Sequence, residues 1–323
     1  MVLFVFRRLI TSLVTVFVVA AIIFVATEVL PGDVATAVLG REATPKRLAL
    51  LRAQLQLDRP APERYREWLF AFVQGDWGHS LARPHIEIRP LVSERLRNTL
   101  WLSGIAGVLG VAISLLLGIY AGLHRNKWFD TIVSTISLIG MSLPEFVIGS
   151  LLMLLFGVVW ALLPAVTIVQ PQATLLDLLP SMILPALTLI IVMVAYILRM
   201  VRSSVIDVTQ SEYVQMAYLK GVPHRRVVWQ HIIPNALIPT INAIALTVAW
   251  LIGGVVVVET VFNFPGIGRL LTSAVSDRDL PLVQALGLVG AFFYIGTNMI
   301  ADLMTLWLTP RLRTQYWQNA HEN

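Results

Sequence analysis

Glu145 stands directly after Pro144 in the middle of a long apolar run, and it is the residue with the clearest chemical potential. Ionisable side chains at membrane depth are expensive and mark solute or ion pathways by default. Glu145 therefore reads in one of two ways. It lines a passage and meets a solute's ammonium group, or it is a structural carboxylate hydrogen-bonded to backbone donors freed by the proline. Asp302, near Asn298 in the last apolar run, reads as a carboxylate that holds a neighbouring helix or reaches an interface; Glu259, at the end of its run, reads as interfacial. The 6 histidines are scattered and there are 0 cysteines, so no metal-ligand spacing, disulfide or thiol nucleophile is available. No Gly-x-x-x-x-Gly-Lys-Ser/Thr phosphate loop occurs, so ATP hydrolysis has no home on this chain. No nucleophile and base stand at matched depth, which argues against an intramembrane enzyme.

A second group of residues points to mechanics. Ser211 precedes Glu212, and Tyr213, Met216, Ala217 and Lys220 follow at helical spacing, with Gly221 supplying a permissive backbone for a helix end. Pro223 starts a second short helix in which Val227, Val228, His231 and Ile232 alternate with Arg225, Arg226 and Gln230, and Pro234 is expected to stop it. A helix, a glycine corner and another helix is the reading. On composition alone this is either an amphipathic surface element on lipid headgroups or a docking element for another protein.

The elements that position these residues are membrane spans. Of 323 residues, 57% are hydrophobic and 13% charged, with a net charge of +5. A soluble domain is nearer 25% charged, and mean hydropathy here is +0.75. Six stretches reach the length needed to cross a bilayer: 9–30, 99–123, 131–163, 182–198, 236–258 and 282–308. The third exceeds one straight helix, so a kink or break is expected at Pro144. The first is too long for a signal-peptide core, although Ala35-Thr36-Ala37 mimics a cleavage site. Trp101, Trp128 and Trp307 suit an interfacial belt.

Placing both termini inside puts Arg7, Arg8, Arg125, Lys127, Arg199, Arg202, Lys220, Arg225, Arg226, Arg311 and Arg313 in the cytoplasm, and leaves Arg269 and Arg278 in short outer loops. Gly104, Gly107, Gly110, Gly118 and Gly122 permit close helix approach. The organisation expected is a cytoplasmic N-terminus with the first span over 1–30, a periplasmic insertion over 31–98, a five-helix core over 99–310 that contains the loop 199–235, and a cytoplasmic tail over 311–323. Within the insertion, Thr44-Pro45 opens a helix carrying Leu48, Leu51, Leu55 and Leu57. Another starts after Pro62 and carries Tyr65, Trp68, Leu69 and Phe72, a stripe expected to pack on the membrane domain.

Glu212-Tyr213-Val214, Ala217, Lys220-Gly221 and Ile233-Pro234-Asn235-Ala236-Leu237-Ile238-Pro239 resemble the Glu-Ala-Ala loop of bacterial ATP-binding-cassette importer permeases. Tyr213-Val214 in place of Ala-Ala is similar to the dipeptide/oligopeptide (peptide/nickel) branch. So are Leu30-Pro31-Gly32-Asp33, Asn98-Thr99-Leu100, and the run Val258-Glu259-Thr260-Val261-Phe262-Asn263-Phe264-Pro265-Gly266-Ile267-Gly268-Arg269-Leu270. Val34 and Ile233-Pro234 depart from that branch's usual pattern.

The resemblance implies an all-α membrane protein of six transmembrane helices, with a soluble periplasmic insertion after the first and a cytoplasmic coupling-helix loop between the fourth and fifth. It implies a non-enzymatic permease in a bacterial inner membrane, moving di- or oligopeptides or related peptide-like solutes, nickel chelates and glutathione-like peptides included. Its partners would be a homologous second permease, two ATPase subunits and an outer substrate-binding protein. ATP and magnesium would sit on the ATPase subunits, with no cofactor on this chain. Glu212, Tyr213, Val214, Ala217, Lys220 and Gly221 would couple to the ATPase, and Pro144 and Glu145 would belong to the translocation pathway. The rival reading is an ion-coupled secondary transporter, for which Glu145 and Asp302 would carry the coupling.

Overall fold

The computed structural model describes residues 2–28, 34–39, 44–54, 58–168 and 174–308. Among them the regular structure is helical, apart from an isolated bridge between His79 and Glu87. Leu30-Pro31-Gly32-Asp33, Leu55, Leu57, Arg311, Arg313 and the tail over 311–323 lie outside the described residues. Asp302 and Trp307 lie on a described helix but outside the residues whose side chains are described.

The chain divides into two units. The first comprises Thr99–Pro265 and 297–308, and is built on α8 (Leu175–Thr209). Thr174 and Asp177 open α8 with a reciprocal cap, each side chain accepting the other's backbone N–H at 3.4 and 2.9 Å. Sixteen of its residues, from Leu178 to Val205, are buried, as expected of a helix apolar on all sides at the centre of a bundle. Against it pack α6 (Trp128–Ser142), α7 (Glu145–Leu152) and α11 (Ile233–Val261). The last part of α5 (Ile88–Leu123) joins them through glycine. A Cβ placed on Gly118 or Gly122 would come within 2.7 Å of Val201 or Val205 respectively, so these two glycines bring backbone against side chain. Gly110 faces Met193 more loosely, Gly107 makes only ordinary contact, and Gly104 faces open space. The close approach is confined to one end of the expected glycine series.

The expected break at Pro144 is larger than a kink. α6 and α7, the latter extended by a π turn over Met153–Val159, meet at 108°. Proline fixes its own φ and excludes the α conformation from the residue before it; Leu143 is accordingly extended, at φ −97° and ψ 134°.

Pro234 does not end the helix after the glycine corner. α10 (His224–Val227), a π turn over Val228–Ile232 and α11 run on without interruption. The wider turn places the proline, with its missing N–H, at the seam between two helical registers, where the lost bond is least felt.

The second unit comprises Val2–Asn98 and Gly266–Gly296. It contains α1 (Val2–Glu28), α2 (Val34–Leu39), α3 (Pro45–Gln54), α4 (Ala61–Gln74), the first turns of α5, α12 (Ile267–Ser276) and most of α13 (Leu280–Leu308). Thr44 caps α3 as expected, its hydroxyl accepting the Arg47 N–H at 3.4 Å. α4 begins one residue before Pro62, which occupies its first turn, where a missing donor costs nothing. The aromatic stripe of α4 packs as expected on α1. Phe24 lies 5.4 Å from Tyr65 and 6.1 Å from Trp68 between ring centroids, and Phe72 stacks on Trp77 at 4.7 Å. Asp279 caps α13 and also accepts from Ser80 Oγ and, at 3.1 Å, from the Leu81 N–H, which fastens the segment before α5 to the start of α13.

Four helices are long and apolar enough to cross a bilayer among the described residues: those containing 6–27, 88–123, 175–209 and 280–300. The bent α6–α7 pair makes five if counted as one span.

Candidate functional site: a helix corner and a broken span

The corner is built from α9 (Glu212–Leu219). Its end is a Schellman motif. The Val222 N–H donates to the Ala217 carbonyl at 3.1 Å and the Gly221 N–H to the Tyr218 carbonyl at 2.9 Å. Gly221 sits at φ +76°, in the left-handed region that glycine enters at no steric cost. A Cβ there would meet nothing within 4 Å, so the requirement for glycine is one of backbone conformation and not of space. Across the corner Tyr218 Oη lies 2.8 Å from His224 Nδ1, with the two rings stacked, which fixes α9 against α10.

With Gly221 at the corner, the structure sorts the other five expected coupling residues into two faces. Val214 is fully buried and Ala217 packs partly on the same core, together with Val222. Glu212, Tyr213 and Lys220 are exposed, joined by Met216 and by Leu219 at 80% exposure. One side thus anchors α9 to the bundle while the other presents an aromatic ring, a thioether and an isobutyl group with a charge at each end. Glu212 lies in the first turn, where the helix dipole favours it.

Behind the corner, α8 and α6 are tied by a residue pair that the sequence reading did not single out. Arg202 donates through Nε and, at 2.7 Å, through Nη2 to the Asp130 carboxylate. Asp130 also accepts from the Asn126 N–H at 3.0 Å and from Ser134 Oγ at 3.3 Å. A buried carboxylate with donors from two helices and a turn is held rigidly. The partners stand 72 residues apart in sequence, and no spacing rule reaches that far.

Pro144 and Glu145, expected on the pathway, lie together at the bend. Pro144 caps α7 without a side-chain hydrogen bond, and Glu145 is the first helical residue. Glu145 Oε2 is buried and accepts no hydrogen bond among the described residues. Glu259, read from the sequence as interfacial, is enclosed by protein. It is fully buried and accepts a hydrogen bond from Thr99 Oγ1 at 2.5 Å, because its helix end is covered by the start of the second span. Ser204 Oγ completes the polar ties, donating to the Ala236 carbonyl at 2.7 Å between α8 and α11.

The corner helix thus has one face anchored in the bundle and one face presented, and α8, which leads into it, is tied to α6 by a charged pair. Residues 114–314 match the family described as binding-protein-dependent transport system inner membrane component, and residues 1–85 match the corresponding N-terminal family.

The chain belongs to this family of importer permeases. It is 36% identical over 313 residues to the glutathione transport system permease protein GsiC of Escherichia coli (strain K12), covering 96% of this chain and 98% of that protein. It is 35% identical over the same length to GsiC of Salmonella typhi, with the same coverage. The permease is therefore of the peptide/nickel type of ATP-binding-cassette importer and is a multi-pass inner membrane protein. Its fold is similar to that of a solved amino acid ABC transporter whose crystal structure was determined with histidines. That likeness has a TM-score of 0.52 at 18% identity and covers 67% of this chain and 93% of that one.

Proposed function

We propose that this permease forms half of the translocation pathway of an ATP-driven importer for di- or oligopeptides or related peptide-like solutes. The other half would be a homologous second permease. Two ATPase subunits would carry ATP and magnesium, and a periplasmic or extracellular binding protein would deliver and select the solute. Both termini lie in the cytoplasm in this reading, as does α9, and α11 supplies a sixth crossing. The similarity to permeases named for glutathione supports a peptide-like solute.

The observation that carries the coupling reading is the division of α9 into a face buried at Val214 and a face exposed at Tyr213, Met216 and Leu219. Apolar side chains held out on a rigid helix suit a groove on a partner protein. Closure of two such partners would draw the paired corner helices together, and the bundle would follow as a rigid body. Native mass spectrometry of the tagged permease, purified in mild detergent, tests the assembly. We expect a second permease and two ATPase subunits at defined stoichiometry. A stable lone chain that still transports would overturn the reading.

A further inference from the structure

Beside the bend at Pro144 lies a cavity of about 450 Å³ lined by Ser142, Pro144, Glu145, Tyr196, Trp250 and Val257 among others. Its size suits the end of a small peptide and not a whole protein element. Three observations meet in it. The Glu145 carboxylate has one oxygen buried and without a hydrogen-bond partner, and Glu145 forms no ion pair among the described residues. The chain makes room for that oxygen: a Cβ on Gly254 of α11 would lie 2.7 Å from Glu145 Oε2, so the carboxylate occupies the place of a missing side chain. Tyr196 of α8 and Trp250 of α11 line the same cavity with ring centroids 6.2 Å apart and planes inclined at 50°.

A carboxylate left unpaired in an apolar surround costs free energy that evolution removes easily by substitution to Gln or Leu. Two electron-rich rings set at an angle beside it add attraction for a cation and none for an anion. We propose that this cavity is a binding half-site for the primary ammonium group of a solute in transit. Glu145 supplies the counter-charge, and Tyr196 and Trp250 supply flanking ring faces. The proposal rests on the peptide-importer reading above and narrows it to solutes carrying a free amine. Gly254 is the positioning residue of the site, since any side chain there displaces the carboxylate.

The test uses the assembled importer, both permeases and both ATPase subunits, in nanodiscs without its binding protein. The probes are radiolabelled trialanine amide, whose one charge is the terminal ammonium, and unlabelled N-acetyl-trialanine amide, which is neutral. In a scintillation proximity assay we expect saturable binding of the cation and no competition by the neutral peptide. Glu145→Gln should weaken binding by about tenfold or more, the size of one charge-assisted contact, and Trp250→Leu should weaken it severalfold. Equal binding by Glu145→Gln and the parent, equal competition by the neutral peptide, or absence of saturable binding to the parent overturns the half-site. Should Glu145→Gln fail to assemble, Trp250→Leu decides by the same criteria. ATP-dependent uptake with the binding protein present separates the two levels. Peptide uptake by the parent together with an unaffected Glu145→Gln removes the half-site alone, whereas no uptake of any peptide by the parent removes the importer reading and the half-site with it.

Discussion

At the scale of single residues, Gly221 offers the sharpest separation of backbone from packing. Its φ of +76° and the open space around its missing Cβ mean that a substitution is penalised by conformation alone. Gly221→Val should cost about 1–2 kcal/mol locally by forcing a β-branched residue into the left-handed region. It should uncouple ATP turnover from transport at normal expression. Gly221→Asn, which enters that region readily, should keep most of the coupling. The ratio of ATP hydrolysed to solute moved is the measurement, and equal ratios for Val, Asn and the parent would count against the corner. Glu259 teaches a different lesson. Its position at the end of an apolar run read as interfacial, yet it is fully buried on Thr99, because a hydropathy profile sees where a run ends and not what covers that end.

At the scale of elements, two contacts within the bundle are open to direct test. Gly118→Ala should destabilise by about 1–3 kcal/mol through overpacking on Val201. Gly104→Ala, facing open space, should be neutral or slightly stabilising, since alanine suits a helix better than glycine does. Thermal unfolding of the two variants in detergent should differ clearly, and equal midpoints would deny the close approach of α5 to α8. The Asp130–Arg202 pair ties α6 to the helix that leads into α9. Arg202→Met alone should cost about 3 kcal/mol because it strands a buried carboxylate, while the double change with Asp130→Asn should recover most of that loss. A double-mutant cycle on unfolding free energy checks it, and additive losses would show that the two groups are not coupled.

The elements were legible from the sequence where signals were local. Thr44-Pro45 opening α3, the Gly221 stop, Pro223 opening α10 and the break at Pro144 all rest on neighbouring residues, and all are found. The continuation of the chain through Pro234 was not legible, because the π turn that accommodates it has no sequence mark of its own. Of the site, the residue types of α9 were legible as a helix. Their division into anchored and presented faces depends on which side meets the bundle. The same holds for the cavity: Glu145 announces itself as a charge in an apolar run, but Tyr196 and Trp250, which line the cavity with it, and Gly254, which faces its carboxylate, stand on helices 50 residues and more along the chain, a distance no periodicity spans.

At the scale of the whole molecule, the absence of cysteine makes topology directly measurable. Single cysteines replacing Lys127 or Lys220 should react with an impermeant maleimide only from the cytoplasmic side, and those replacing Glu63 or Arg278 only from the outer side. Labelling of Lys127 and Glu63 positions from one side would contradict the orientation. In the proposed reading, a movement imposed at α9 would become access at the bend between α6 and α7. The central claim is that the movement is imposed by ATP. The complete importer in proteoliposomes, with ATP enclosed on the side of α9 and the binding protein outside, gives the most direct measurement. Peptide uptake should require the enclosed ATP and persist when ionophores collapse every ion gradient. Uptake that proceeds without ATP and follows an imposed ion gradient would contradict the account.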